Sequence, residues 1–142
     1  MDINMMLIKV KGLSPKYANE HAAGLDIHNN GDDITIQPNA WATVQTKLAV
    51  EIPRGHFGMI VPRSGLGNRG VGLVNTVGII DSDYRGEIGI KLVNTSVDPI
   101  EIQKGDRIAQ MVIAPYARVD IEEVDELSET ERGHNGFGST GR

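Results

Sequence analysis

Apolar and polar residues alternate along this chain in short bursts, and the bursts stop at glycine, proline, asparagine or aspartate. Ile34 and Ile36 flank Thr35 and end at Pro38. Ile88, Ile90 and Leu92 alternate strictly, as do Ile100 and Ile102. A period of two is the pattern of a strand with one buried face. Residues 41–52 read as one or two strands, with Val44, Leu48, Val50 and Ile52 on one face. Met6 to Val10, Phe57 to Val61 and Val71 to Val74 are apolar runs of strand length. Ile108 to Ile113 is nearly continuous and predicts a strand buried on both faces. Val119 and Ile121 close the series. Segments of this kind predict an all-β domain of antiparallel strands, in a sandwich, jelly roll or barrel. Ser64 to Arg69 is long enough for one helical turn. Glu122 to Glu131 is polar and acidic and reads as extended or frayed.

Composition narrows the chemistry. The 142 residues give room for one domain. The net charge of −5 disfavours a domain that grips DNA or RNA, but leaves a local basic cluster free to bind a small phosphate ligand. The chain has no cysteine, so disulfides, thiolate zinc sites, iron–sulfur clusters and cysteine nucleophiles are all excluded. His21, His28, His56 and His134 have no metal-ligand spacing. No Gly-x-Ser-x-Gly elbow supports a serine nucleophile. No apolar run approaches the roughly 20 residues of a membrane span, and Met1 to Asn4 lacks the start of a signal peptide. A cytoplasmic location is expected, or a host-cell cytoplasm if the source is viral. Seventeen glycines, six prolines and 4% aromatics also suit short strands and turns.

Five segments carry more polar chemistry than turns require. In Ala23-Gly24-Leu25-Asp26-Ile27 a carboxylate sits between apolar residues, as a turn cap or as an acid that orients a cation or an arginine. Pro62-Arg63-Ser64-Gly65 offers a guanidinium, a hydroxyl and backbone N–H groups to phosphate, without being a P-loop. Asn75 to Glu87 looks like a hairpin with two aspartates, a tyrosine and an arginine at its turn. A solvated turn needs fewer ionisable groups. Such a hairpin suits a nucleoside pocket with one aspartate as general base. In Gly105-Asp106-Arg107-Ile108-Ala109-Gln110 the amide falls inside an apolar run and must find a partner, in the backbone or in a ligand. Arg132 to Arg142 holds four glycines and one apolar side chain, so it builds no core. Read plainly it is a tail. Its aromatic, hydroxyls and arginines are also the parts of an arm that folds over an anionic ligand with a flat ring.

Together and in order, these segments resemble the five motifs of the trimeric dUTP diphosphatases (dUTPases). The resemblance implies a distorted jelly-roll or β-barrel domain over 1–128 with at most one short helix. It implies a flexible C-terminal arm over 129–142, closing over a neighbour's active site in a homotrimer. The implied reaction is dUTP and water giving dUMP and pyrophosphate, with Mg²⁺ on the triphosphate. Asp81 would be the general base. Arg63, Ser64, Gly65 and Gln110 would hold phosphates, and Asp26 would support Mg²⁺ through water. Asn75 with backbone at Gly78 and Ile80 would pair with uracil, and Tyr84 would pack on the deoxyribose. Phe137 with Gly138 would cover the base, while Arg132, Ser139 and Thr140 would close on the γ-phosphate. The implied partners are dUTP and two further copies of the chain, with no nucleic acid and no membrane. A related dCTP deaminase would need a glutamate five residues after Gly86, where this chain has Lys91. A non-catalytic jelly-roll module that keeps a nucleotide pocket is the other rival.

Overall fold

The computed structural model describes residues 5–138. Twelve short strands and one short helix make up the described fold. The strands are β1 (Lys9–Gly12), β2 (Lys16–Tyr17), β3 (Leu25–His28), β4 (Ile34–Ile36), β5 (Trp41–Gln45), β6 (Leu48–Glu51) and β7 (His56–Pro62). The helix α1 (Ser64–Asn68) follows, then β8 (Val71–Leu73), β9 (Gly78–Ile80), β10 (Gly89–Asn94), β11 (Ile100–Ile102) and β12 (Arg107–Pro115). All ladders are antiparallel. One five-stranded sheet runs β2-β3-β12-β7-β9, a second runs β5-β10-β8, and the pairs β1-β6 and β11-β4 complete the set. The architecture is jelly-roll-like. The β-barrel half of the expectation is corrected, because the ladders among the described residues fall into four separate sheets and none closes on itself.

The alternating residues meet in one core. Val44, Leu48, Val50 and Ile52 are buried, as are Ile88, Ile90, Leu92, Ile100 and Ile102. The stretch 41–52 is two strands, because Lys47 takes a left-handed φ of 51° between them. Three expectations need correction. Of the run Ile108 to Ile113, only Ile108, Ala109 and Met111 are buried; Gln110 and Val112 turn to the other, less covered face, and Ile113 packs partly buried at the edge of the core. Val119 and Ile121 alternate but form no strand and are 76% and 85% exposed; no ladder partner reaches them. The segment Asn75 to Glu87 does not pair with itself. Its one strand, β9, adds to the edge of β7, with Gly58 opposite Ile80 and Ile60 opposite Gly78.

Candidate active site

A charged cluster lies on the outer face of the five-stranded sheet. Asp26 on β3 is directly opposite Gln110 on β12, and Gln110 is opposite Val61 on β7. Cross-strand partners share a face, so Asp26 and Gln110 project together. The Asp26 side chain is only 9% exposed, and two arginines partner it. Its Oδ1 lies 3.2 Å from Nε of Arg63, and its Oδ2 lies 3.7 Å from Nη1 of Arg107. Of the two roles open to this carboxylate, the structure realises the orientation of arginine. Arg63 is the N-cap position of α1 and is extended there, with no side chain capping the helix. Ser64 and Gly65 follow it, both exposed. Gln110 is half-buried and packs so closely on Gly24 that a Cβ there would collide with its Oε1. Among the described residues its amide has no hydrogen-bond partner, so its donors and acceptor remain available.

The second group lies on the loop from β8 to β10. Asn75, Gly78 and Ile80 line a small pocket of about 100 Å³, together with Ile60, Leu73 and Ile90. Thr76 holds a φ of 63°, costly for a β-branched residue at roughly 1–3 kcal/mol. This tight bend precedes β9 and aims Asn75 at the pocket. A Cβ on Gly78 would lie 3.4 Å from Nδ2 of Asn75 and 3.2 Å from Cβ of Ile60, so glycine keeps the pocket's wall thin. Asp81 leaves the end of β9 and lines a different space, an open groove of about 810 Å³ shared with Arg54, Phe57, Tyr116 and Arg118. Phe57 and Tyr116 meet edge-to-face there, with centroids 6.2 Å apart. Tyr84 turns back through its N–H to the carbonyl of Asp81, at 3.1 Å.

The chain matches the family model described as dUTPase over residues 11–141. It belongs to the dUTPase family. It is 50% identical over 129 residues to the deoxyuridine 5'-triphosphate nucleotidohydrolase of Anaeromyxobacter sp., covering 90% of this chain and 87% of that one. The protein of the same name from Nautilia profundicola is 47% identical, with both chains covered in full. A solved structure of the Staphylococcus bacteriophage 80alpha dUTPase with dUPNHPP superposes with a TM-score of 0.87 and 29% identity, covering 97% of this chain and 100% of that one.

Within this dUTPase chain the two groups do not converge. Gln110 is registered with Val61, whereas Gly78 is registered with the adjacent Ile60. Successive residues of a strand point to opposite faces. The Asp26–Arg63–Gln110 cluster therefore faces outward, while the Asn75–Gly78–Ile80 pocket runs along the free edge of β9, beside Gly89, Ile90 and Lys91 of β10. Asp81 shares the outer side, but its groove neighbour Phe57 is four residues from Val61, about 13 Å along β7. The arm stands apart as well. Phe137 and Gly138 are exposed, and Arg132 donates from Nε to the carbonyl of Asn135 at 2.8 Å. Ser139 and Thr140 lie outside the described residues.

The donor set decides what kind of metal ion fits. Among the described residues no three His, Asp or Glu side chains gather, and both oxygens of Asp26 face arginines. A Mg²⁺ held by protein ligands alone does not fit. An ion carried on triphosphate oxygens does, since Mg²⁺ keeps several waters and accepts few carboxylates. Sequence reasoning missed Arg107 as a partner of Asp26. Its signal was its place at the start of the strand bearing Gln110. Lys91 is the residue that stands where a deaminase needs an acid. Its ammonium lies 5.2 Å from the centroid of the Trp41 ring. No helix among the described residues is long and apolar enough to cross a membrane.

Proposed function

We propose that the protein is a dUTP diphosphatase that hydrolyses dUTP to dUMP and pyrophosphate, in a homotrimer whose sites are shared between chains. The observation that carries this reading is the small pocket of Asn75, Gly78 and Ile80 in a chain of the dUTPase family. Uracil enters that pocket edge first. The Asn75 amide and the exposed edge of β9 pair with it as a neighbouring strand would. Cytosine brings the wrong donor and acceptor pattern, and unpaired buried groups cost on the order of 10⁴ in specificity. The 5-methyl of thymine finds no room. Tyr84 presents a ring face to the deoxyribose.

Asp81 is the general base for in-line attack of water on the α-phosphorus. Its carboxylate orients the water and takes its proton as the bond to phosphorus forms and the bond to the bridging oxygen breaks. Arg63, Ser64, Gly65 and Gln110 hold the phosphates, and the buried Asp26 fixes the guanidinium of Arg63 for that purpose. Asp26 would reach, through water, a Mg²⁺ carried on the substrate's triphosphate, and that ion would supply charge that stabilises the departing pyrophosphate. A general base acts within hydrogen-bond reach, directly or through one water. The 13 Å register gap (about four residues of strand) supports a site completed by a second chain. Heterologous interfaces of this kind close in a three-fold ring. The arm, residues 129–142, crosses to a third site. Phe137 stacks on the base there with Gly138 beside it, and Arg132, Ser139 and Thr140 close over the γ-phosphate. Closure excludes water and strengthens the electrostatics inside.

The test is product analysis with dUTP and dCTP in the presence of Mg²⁺. Pyrophosphate from dUTP alone is expected. Ammonia from dCTP would make the protein a deaminase, and no product from either would make it a binding module.

A further inference from the structure

Glu87 lies outside the nucleotide-contacting residues, yet the hydrogen bonds around Tyr84 converge on it. The Tyr84 hydroxyl donates to the main-chain carbonyl of Glu87 at 2.7 Å. That hydroxyl is committed to the protein, so what Tyr84 offers a ligand is its ring. The ring lies against Gly86, where a Cβ would stand 2.5 Å from Oη and 2.7 Å from Cζ of Tyr84. Glu87 is itself fixed from the β5–β6 turn. Its Oε1 accepts from the N–H of Lys47 at 2.5 Å, the residue with a left-handed φ of 51°. The next residue, Ile88, donates its N–H to the carbonyl of Leu48 at 2.8 Å and accepts from Oγ1 of the buried Thr46 at 2.6 Å. On the loop's other side Arg85 donates to the carbonyl of Ser82 at 2.6 Å and pairs with Glu51 at 3.3 Å. Lys47 just before β6 and Glu51 at the end of β6 thus hold the loop beside Tyr84, at Glu87 and at Arg85.

We infer that Glu87 is a positioning residue for sugar selection, holding the Tyr84 ring as a rigid wall against a 2′-hydroxyl. The inference rests on the reading of Tyr84 as the sugar platform. A wall excludes one oxygen atom only if it cannot swing aside, and displacements near 1 Å change rates by about 10²-fold. The anchoring hydroxyl supplies the reason for tyrosine here, since phenylalanine has the same ring without the tether.

The experiment compares kcat/KM for dUTP and UTP in Glu87→Ala, Glu87→Gln, Tyr84→Phe and Tyr84→Ala. Glu87→Ala and Tyr84→Phe should each lower the preference for dUTP about tenfold, chiefly by admitting UTP. Glu87→Gln keeps an acceptor for the Lys47 amide and should restore the preference to within about threefold. The double variant Glu87→Ala/Tyr84→Phe should fall no further than either single one, because both release the same ring. If Tyr84→Ala loses the preference while Glu87→Ala keeps it, or if the double variant is additive, the positioning role is overturned and the sugar platform stands. If Tyr84→Ala keeps the preference, the sugar reading of Tyr84 fails and this inference fails with it.

Discussion

The cluster around Asp26 and the loop from Asn75 to Glu87 hold their polar groups by different means. Asp26 and Gln110 stand on the middle strands of the largest sheet, fixed by ladder register, with Asp26 nearly buried between two guanidinium groups. Asp81 and Tyr84 stand on an exposed loop that borrows its rigidity from a hydrogen bond to the β5–β6 turn and from bonds within its own turn. A phosphate site needs a fixed array of charge, which a sheet supplies. A selective nucleoside site needs backbone edges and a close wall, which a tethered loop supplies. The two regions also lie apart, since Phe57 beside Asp81 is about 13 Å along β7 from the position opposite Gln110.

Separate means of support imply separable defects. The largest effect is expected at Asp81. Asp81→Asn should lower kcat by about 10²–10⁴-fold while the affinity for a non-hydrolysable dUTP analogue, measured by calorimetry, stays near wild type. A kcat close to wild type would remove Asp81 from the base role. Deletion of residues 132–142 should follow, at about 10²-fold in kcat. Arg132 to Gly138 are exposed and outside the core, so the melting temperature of the free protein should hardly move. Normal hydrolysis by the truncated protein would reduce the arm to a tail.

Those two variants also test the division between chains. Refolded together, Asp81→Asn and arm-deleted chains should regain activity that neither has alone, because in the proposed homotrimer a mixed assembly would pair an intact loop with another chain's arm. A mixture that stays inactive despite demonstrated subunit exchange would put loop and arm in one chain. Next in size is Tyr84→Ala, which should lower the dUTP-over-UTP ratio of kcat/KM more steeply than turnover of dUTP itself. The smallest effect is expected at Asp26. Asp26→Asn leaves Arg63 and Arg107 without a charged partner, and should raise KM for dUTP about tenfold, or ~1.4 kcal/mol, with a smaller change in kcat. A change confined to kcat would contradict the view that Asp26 serves binding by orienting Arg63.

Much of the fold was legible because a two-residue period needs only local information. Ile34 to Ile36, Gly89 to Leu92, and Ile100 to Ile102 became strands with Ile36, Ile90, Leu92, Ile100 and Ile102 buried, and Ser64 to Asn68 became the one short helix among the described residues. Val119 and Ile121 carry the same period but formed no strand, because a strand also needs a partner edge. Composition determined further points: no cysteine chemistry, and an acidic chain of net charge −5. The ordered segments carried the family resemblance, now matched over residues 11–141. Register was not legible. Only the folded sheet set Gln110 opposite Val61 and Gly78 opposite Ile60, and so kept the Asp26 cluster apart from the Asn75 pocket. Only the fold brought Arg107 to Asp26, tied Tyr84 to Glu87 and Glu87 to Lys47, and joined β9 to β7 instead of closing a hairpin. The physical reason is range. Alternation is written between neighbours in sequence, whereas a contact such as Glu87 to Lys47 spans 40 residues and exists only once the strands between them have packed.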